Sequence, residues 1–492
     1  MPYSETHQGI NSKVEGPSSQ TKSWVSGLSL AVADGFSMLS CFLLGVWGLT
    51  FYGHYVGDPT AWNTWIATTG IPHFFVDIFF IFITIFVLWF SGLYHKRLPF
   101  WDELGQILRY LIFICMMHGA VVLAAKWPFS KFVWMVSWMG SMVLVPVMRS
   151  LTKKLLHSLG YWEIPTVILG AGQNALAAYR ALKSEPAMGF KVLGFITLNG
   201  QQELPAPVTQ VAKENLFPTL QAMQFPHVIF AIEQLDLYKH QDIIQTMTLK
   251  YPSFSWIPDV AGLPILGMET NHFFSHEVLI LNVKNNLSNP LARTLKRWMD
   301  VLGSSFLLLS LSPLFAYLAW QISKTKGPIF FAHDRIGQDR KKFRCWKFRT
   351  MVPDAGILLE KLLLTDPVAK AQWETEFKLK NDPRITKVGH FLRRSSLDEL
   401  PQLWNVLIGD MSLVGPRPII SEELKMYESK LDYYLAARPG ITGLWQVSGR
   451  NDLSYSARTD LDAWYVKNWN IWYDIAILFK TVHVVFGKKG AY

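Results

Sequence analysis

The 492-residue chain is short of charge and of cysteine. Only 17% of its residues are charged, and its three cysteines are Cys41, Cys115 and Cys345. Thiols this far apart, with no metal-ligand spacing between them, exclude a disulfide framework and a cysteine zinc site. The first 25 residues lack the basic start, short apolar core and small-residue cleavage site of a secretory signal, and read as a polar cytoplasmic tail. So little charge beside 50% hydrophobic residues, 20 Trp and 32 Phe excludes a disordered chain and points to membrane segments. The charge present is uneven: residues 1–280 carry net −1 and residues 281–492 net +11. A basic end beside apolar stretches suits nucleic acid, anionic lipid or a phosphorylated substrate, and composition does not choose among them.

Four apolar stretches fill residues 26–150: Ser26 to Thr50, Ile71 to Tyr94, Ile107 to Ala125 and Phe132 to Met148. Each is near the roughly 20 residues of a membrane helix, which predicts a four-helix transmembrane bundle. Lys13 and Lys22 precede the first span, Lys96 and Arg97 follow the second, and Arg149, Lys153 and Lys154 follow the fourth, while Lys126 and Lys131 dissent. Basic residues favour the cytoplasmic side, so both ends of the bundle are expected there.

A Rossmann-like α/β domain is expected over residues 160–275. Thr166 to Leu169 reads as a buried strand entering a glycine turn, then a helix through Lys183, with further strands at Lys191 to Ile196, His227 to Ile232 and Phe254 to Pro258. Gly170, Gly172 and Ala175 fit the dinucleotide-binding glycine pattern. The acid that should follow the second strand to hold a ribose hydroxyl is missing from Gly194-Phe-Ile-Thr-Leu-Asn-Gly200. A structural or regulatory domain is therefore favoured over a working dehydrogenase. A membrane-bound nucleotide-sugar dehydratase, which needs the complete fingerprint and a Tyr-x-x-x-Lys pair, is the weaker alternative.

Val301 to Ser323 is 23 uncharged residues, long enough to span. Lys296 and Arg297 stand before it and Lys324 and Lys326 after it, whereas a spanning helix usually keeps its basic residues on one side. Ser312-Pro313 sits at its middle, where proline removes a backbone bond and serine can satisfy the freed carbonyl. A bent, re-entrant helix over about residues 298–323 satisfies both observations.

From Ile329 the chain is polar and dense in motifs. Lys341-Lys-Phe-Arg-Cys-Trp-Lys-Phe-Arg-Thr-Met351 alternates basic and apolar residues, the pattern of a strand with one charged face. No recognised nucleic-acid fold signature accompanies it, which argues against a nucleic-acid partner. Pro401 belongs in a first helical turn, so a helix is expected to begin between Ser396 and Leu400 and to end near Gly409. Asp398 and Glu399 then stand at its start; Ser396 with Glu399 also matches a capping box. Gly415-Pro-Arg-Pro418 and Arg438-Pro-Gly-Ile-Thr-Gly443 through Gly449-Arg450 are Gly/Pro-braced turns, suited to presenting a guanidinium to phosphate. Two acids facing a phosphate call for a cation, and Mg²⁺ is usually held by one or two carboxylates plus the substrate's own phosphates. A carboxylate can itself attack phosphorus. The combination suggests phosphoryl transfer at a membrane surface; a non-catalytic scaffold or transporter leaves the acid pair and arginine turns unexplained. Ile357 to Phe377 and Ile471 to Phe486 are further apolar helices suited to the headgroup region.

With these motifs in this order, residues 290–492 resemble the bacterial sugar transferases, the monotopic phosphoglycosyl transferases. The matching pieces are Lys296-Arg297, Ser312-Pro313, Lys347-Phe-Arg-Thr-Met351, Leu397-Asp-Glu-Leu400, Gly409 to Pro418, and Arg438 to Gly443 with Gly449-Arg450. The whole layout is similar to the family's long form, with spans and a Rossmann-like domain before an α-rich transferase domain. The resemblance implies transfer of a hexose 1-phosphate, galactose before glucose, from a UDP-sugar to undecaprenyl phosphate with release of UMP, as the first membrane step of O-antigen, capsule or exopolysaccharide synthesis. Asp398 would be the nucleophile and Glu399 a Mg²⁺ ligand beside it. Arg450, and after it Arg417, Arg394 and Lys347, would contact phosphate or headgroup. A homodimer in the bacterial inner membrane, with the catalytic domain on its cytoplasmic face, is also implied.

Overall fold

The computed structural model describes residues 19–56, 71–126, 130–197, 205–211, 215–223, 226–232, 243–244, 247, 254–258, 269–272, 279–282, 287, 289–325, 327–366, 370, 382–449 and 453–486. The chain divides into two compact units, residues 1–259 and 260–492.

The first unit opens with helices α1 (Ser19–Val56), α2 (Ile71–Phe90), α3 (Phe100–Ala124) and α4 (Lys131–Ser158). Among the described residues, three helical stretches are long and apolar enough to cross a membrane: Trp24–Leu49, Phe100–Ala124 and Lys131–Ser158. Within the second expected span, Phe74–Phe90 is an apolar stretch of α2, which runs for 20 residues in all. The helices also outrun their apolar stretches; at the start of α4, Ser130 caps the helix by accepting a hydrogen bond from Val133 N at 3.3 Å. α1 packs along α4 and on α2, and α3 packs on α2 and α4. Their shared core includes Leu30, Leu88, Leu111 and Val145. Within it, Arg149 binds Asp34 at 2.6 Å and Glu103 at 3.0 Å, Lys153 also pairs with Glu103, and the Tyr94 hydroxyl donates to Asp34 at 2.9 Å. Lys153 and Arg149, expected as flanking cytoplasmic charges, are thus spent inside the helix cluster.

The same unit continues into a parallel sheet of order β3-β2-β1-β4-β5, with β1 (Ile164–Leu169), β2 (Phe190–Thr197), β3 (Val208–Gln210), β4 (His227–Phe230) and β5 (Phe254–Trp256). Helix α5 (Gln173–Ser184) follows β1, and α6 (Leu216–Ala222) precedes β4. This is the strand order of a doubly wound nucleotide fold. At Gly170 φ is +135°, and a Cβ there would lie 2.4 Å from the Ala231 carbonyl oxygen, so the glycine lets β1 and β4 approach. Asn174, in the first turn of α5, donates to the Ile257 carbonyl beyond β5 at 2.8 Å. The glycine turn is therefore used in packing the domain itself. A Tyr-x-x-x-Lys spacing does occur here, from Tyr179 to Lys183, but Tyr179 packs on Phe195 of the sheet, with ring centroids 5.6 Å apart.

The second unit begins with an antiparallel hairpin, β6 (Glu269–His272) and β7 (Leu279–Asn282). Helices α7 (Pro290–Ser310) and α8 (Ser312–Ser323) follow, bent by 61° at their junction. Pro313 cannot donate to the Leu309 carbonyl, and Ser312 Oγ does so instead at 2.7 Å. Both arms are fastened to one domain. Near the start, Arg297 donates to the Val406 and Leu407 carbonyls at 2.7 Å each, Lys296 pairs with Asp474 at 2.6 Å, and Asp300 accepts from Leu413 N at 2.9 Å. At the end, Arg349 donates to the Thr325 carbonyl at 3.1 Å. Lys296 and Arg297, expected as basic flanks of the bent helix, are also anchors within the domain.

The rest of the unit is α-rich, with two small sheets. Strands β8 (Phe330–Ile336) and β9 (Lys342–Phe348) form a hairpin, and β10 (Ser412–Val414) pairs in parallel with β11 (Gly440–Thr442). The helices are α9 (Ala355–Thr365), α10 (Lys387–Ser395), α11 (Gln402–Ile408), α12 (Leu431–Ala436), α13 (Leu444–Ser448), α14 (Tyr455–Lys467) and α15 (Ile471–Phe486). Phe343, Cys345, Leu403, Val406, Leu413 and Tyr465 share its core. The second half of the apolar helix expected at Ile357 to Phe377 lies outside the described residues.

Candidate active site

The acid pair stands on a 3₁₀ turn, Leu397–Glu399, between α10 and α11. This turn starts inside the window expected for the helix start, Ser396 to Leu400, whereas α11 itself begins at Gln402, and the capping box is not formed. Ser396 adopts a left-handed conformation, φ +55°, because it ends α10, its N–H bonding to the Arg393 carbonyl, and its side chain caps nothing. Pro401 is helical at φ −61° and leads into α11.

α11 is fixed at both flanks. Asn405, fully buried, accepts from Trp346 N at 3.0 Å and donates to the Arg344 carbonyl at 2.8 Å, tying the helix to β9. Arg297 takes the last carbonyls before Gly409, whose φ of +101° closes the helix. β9 runs with Phe343 and Cys345 buried and Lys342 and Arg344 exposed, as the alternation predicts, but the pattern breaks at Trp346 and Lys347, both half-buried, and at buried Phe348. This brings Lys347 to the turn, with Nζ 2.5 Å from Glu399 Oε1 and 3.9 Å from Asp398 Oδ2.

α10 adds a second cation. A Cβ on Gly389 would lie 2.0 Å from the Thr350 carbonyl oxygen, so α10 sits directly on the end of β9, and Arg393 Nε donates to Thr350 Oγ1 at 3.0 Å. Arg393 lies within electrostatic reach of Asp398, and burial holds its guanidinium below the usual range. Asp398 is 13% exposed, and burial pushes its carboxyl up to about 6; Lys347 pulls against that rise, while Glu399 adds to it.

The two proline-braced turns meet backbone to backbone. A Cβ on Gly415 would lie 2.3 Å from the Arg438 carbonyl oxygen, and one on Gly440 2.1 Å from Gly415 N. Arg417, exposed on the first turn, lies within reach of Cys345, as do Lys347 and Glu399. Lys347, Asp398 and Glu399 are therefore brought into contact, with Arg417 close by. Arg394 is exposed on the last turn of α10, one residue past the arginine that reaches the acids. Arg450 lies outside the described residues. Sequence reasoning missed Arg393, although its register beside buried Leu392 was a usable signal. It also missed Asp462. Asp462 is buried, accepts from the Tyr427 hydroxyl at 2.8 Å, is pushed up to about 7 by burial and feels the charge of Arg417. Nothing in Thr459-Asp-Leu-Asp462 marks that acid as special.

A shielded carboxylate held among cations is the equipment of a group-transfer enzyme. Residues 291–488 match the family model of the bacterial sugar transferases, and residues 90–224 match that of a CoA-binding domain. The chain is 45% identical to the undecaprenyl-phosphate galactose phosphotransferase of Salmonella typhimurium, over 87% of this chain and 89% of that protein. It is 43% identical to the UDP-galactose-lipid carrier transferase of Erwinia amylovora, over 86% and 91%. With the UDP-glucose:undecaprenyl-phosphate glucose-1-phosphate transferase of Klebsiella pneumoniae the identity is 31%, over 72% and 74%. The chain belongs to the bacterial sugar transferase family and is an enzyme of the phosphoglycosyl transferase class.

Proposed function

We propose that the protein transfers galactose 1-phosphate from UDP-galactose to undecaprenyl phosphate, opening O-antigen, capsule or exopolysaccharide synthesis. The observation that carries this reading is Asp398, buried yet flanked by Lys347 and Arg393 on a turn held rigidly to β9. An Asp398 oxygen bonds to the β-phosphorus of the UDP-sugar as the bond from that phosphorus to the bridging oxygen breaks, and UMP leaves. A phosphate oxygen of the acceptor then attacks the same phosphorus and frees Asp398, giving a lipid diphosphate sugar. Lys347 and Arg393 favour the ionised nucleophile and the incoming negative charge. Arg417, on its braced turn, is assigned to the substrate phosphates, with Arg450 and Arg394 as further phosphate or headgroup contacts.

Mg²⁺ suits this donor set. Glu399 is 36% exposed beside Asp398, and Lys347 marks a position that favours positive charge. Among the described residues no group of three or more His, Cys, Asp or Glu side chains forms a cage. The ion would thus be held by Glu399 and Asp398 and complete its shell from water and substrate phosphate. When bound, it neutralises diphosphate charge. Galactose is preferred over glucose because the galactose-named relatives are 45% and 43% identical and the glucose-named one 31%.

The same reading makes α7 and α8 a re-entrant pair, with the N-terminal helices crossing the inner membrane and the transferase on the cytoplasmic face. The support is that both arms are bonded to one domain. From Asp300 to the bend and from the bend to Ile322 each arm is about 16 Å, roughly half a ~30 Å hydrocarbon core. The parallel-sheet domain is assigned a structural or regulatory role.

The purified protein with Mg²⁺, UDP-galactose and undecaprenyl phosphate is expected to release UMP and to trap labelled phosphosugar when the acceptor is withheld. Asp398→Asn is expected to lower both by on the order of 10³ or more. Near-normal turnover in that variant, with label still trapped, would remove Asp398 from the role of nucleophile.

A further inference from the structure

At the C-terminal end of α11, the end remote from Asp398, a second cationic site is built into the domain. A pocket of about 470 Å³ lies between the start of α7, the segment joining α12 to β11, and the end of α14. Arg293, Lys296, Arg297 and Arg438 line it, and no Asp or Glu does. Lys296 is neutralised by Asp474 at 2.6 Å. Arg297 bonds only to the Val406 and Leu407 carbonyls among the described residues, which leaves its charge without a carboxylate. Arg438, half-buried, has no side-chain hydrogen bond or ion pair among the described residues, and Arg293 stands exposed at the mouth. Three guanidinium charges thus share one cavity. Burial, reinforced by the like charge of Arg297 and only partly offset by buried Asp300, holds the Arg438 guanidinium below its usual range. Such a cluster is unfavourable unless an anion enters it. The N-terminal end of α7, 21 residues long, contributes positive potential at Pro290.

The surroundings indicate what the anion is attached to. Trp298 lines the pocket and is 60% exposed, and Leu291, Leu295 and Leu302 are exposed on the same helix. An apolar face with a tryptophan beside arginines is the character of a membrane interface. We propose that this pocket binds the headgroup phosphate of an anionic phospholipid, separately from the diphosphate site, with which it shares none of Lys347, Asp398 or Glu399. The inference rests on the reading that α7 and α8 enter the membrane. An occupied pocket fixes the depth of α7, and through Arg297 it sits at the opposite end of the helix from the acid pair.

The test is a titration of the full chain in detergent, read by native mass spectrometry, with short-chain phosphatidylglycerol, phosphatidylcholine of the same chain length, a short polyprenyl phosphate, and inorganic phosphate. Phosphatidylglycerol is expected to bind at least about tenfold tighter than phosphatidylcholine, and Arg293→Gln with Arg438→Gln to abolish that preference. Melting temperature should stay at the parent level, which separates loss of the site from loss of the fold. Equal retention of the two lipids, or an unchanged preference in the double variant, overturns the proposal. Displacement by inorganic phosphate at matching concentration assigns the pocket to free phosphate, and a stronger preference for a short polyprenyl phosphate assigns it to the acceptor; either overturns the phospholipid assignment. A parent protein that prefers phosphatidylglycerol but releases no UMP refutes the proposed transfer alone.

Discussion

In the proposed mechanism Asp398 has to be ionised to attack phosphorus, and it is placed where ionisation is costly. Its carboxyl is raised to about 6 from 3.8, by burial first and by Glu399 as well. UMP release is therefore expected to fall about tenfold per pH unit below that midpoint. Lys347 lowers the midpoint, so Lys347→Gln should move it to higher pH; a pH profile of the first half-reaction with unchanged midpoint would refute the coupling. The same shift has a stability consequence. The unfolded chain ionises Asp398 near 3.8, so the stability this group contributes is full below that pH and is lost as pH rises through about 6. At pH 7.5 Asp398→Asn should consequently stabilise the protein, on the order of 2 kcal/mol, while abolishing transfer. A melting temperature at or below the parent's would contradict that. Asp398 and Glu399 were singled out from their neighbours in sequence, and the structure places them together with Lys347. The role of Arg393 rather than Arg394 was not, because it depends on how α10 sits on Thr350.

At the scale of elements, α11 is the platform of the site, and Asn405 carries it. Asn405→Leu would leave Trp346 N and the Arg344 carbonyl without their partner inside the core. The expected loss is about 2–4 kcal/mol, with a fall in UMP release as the acid turn loosens from β9. Thermal melting and the half-reaction assay together check it, and an unchanged melting temperature would refute the locking role. Element types were readable where periodicity was strong: β1, β2, β4, β5, β9, α5 and α15 stand at or near their expected positions. The short strand β3 and helix α6 escaped, since three and seven residues carry too little periodicity to be seen. The failed capping box at Ser396 has a different cause. The sequence allowed Ser396 to begin one helix, and the structure uses it to end the previous one.

At the scale of the molecule, two charge arrangements organise the chain. In the first unit Arg149 holds α4 to α1 through Asp34 and to α3 through Glu103. Arg149→Met would leave buried Asp34 without its ion-pair partner and Glu103 with Lys153 alone, an expected cost of about 3–5 kcal/mol. Thermal melting in detergent measures it, and full retention of stability would show that the network is dispensable. In the second unit the bent pair α7 and α8 is tied down at both ends, so single cysteines placed before Lys296 and after Lys324 should label from the same side in intact cells. Labelling from opposite sides would replace the re-entrant pair with a crossing.

The sequence by itself determined the division into apolar helices, a parallel-sheet domain and a basic C-terminal domain, because hydropathy, periodicity and charge are properties of neighbours along the chain. It also determined the acid pair and the two proline-braced turns, whose short motifs carry their own geometry. Only the tertiary structure decided how the cations are spent. Lys296, Arg297, Arg149 and Lys153, all read from sequence as flanking charges, are anchors within their own units, while Lys347 and Arg393 serve the acids. The physical reason is that a charge acts over the few ångströms to its partner, and those partners lie up to 178 residues away in sequence.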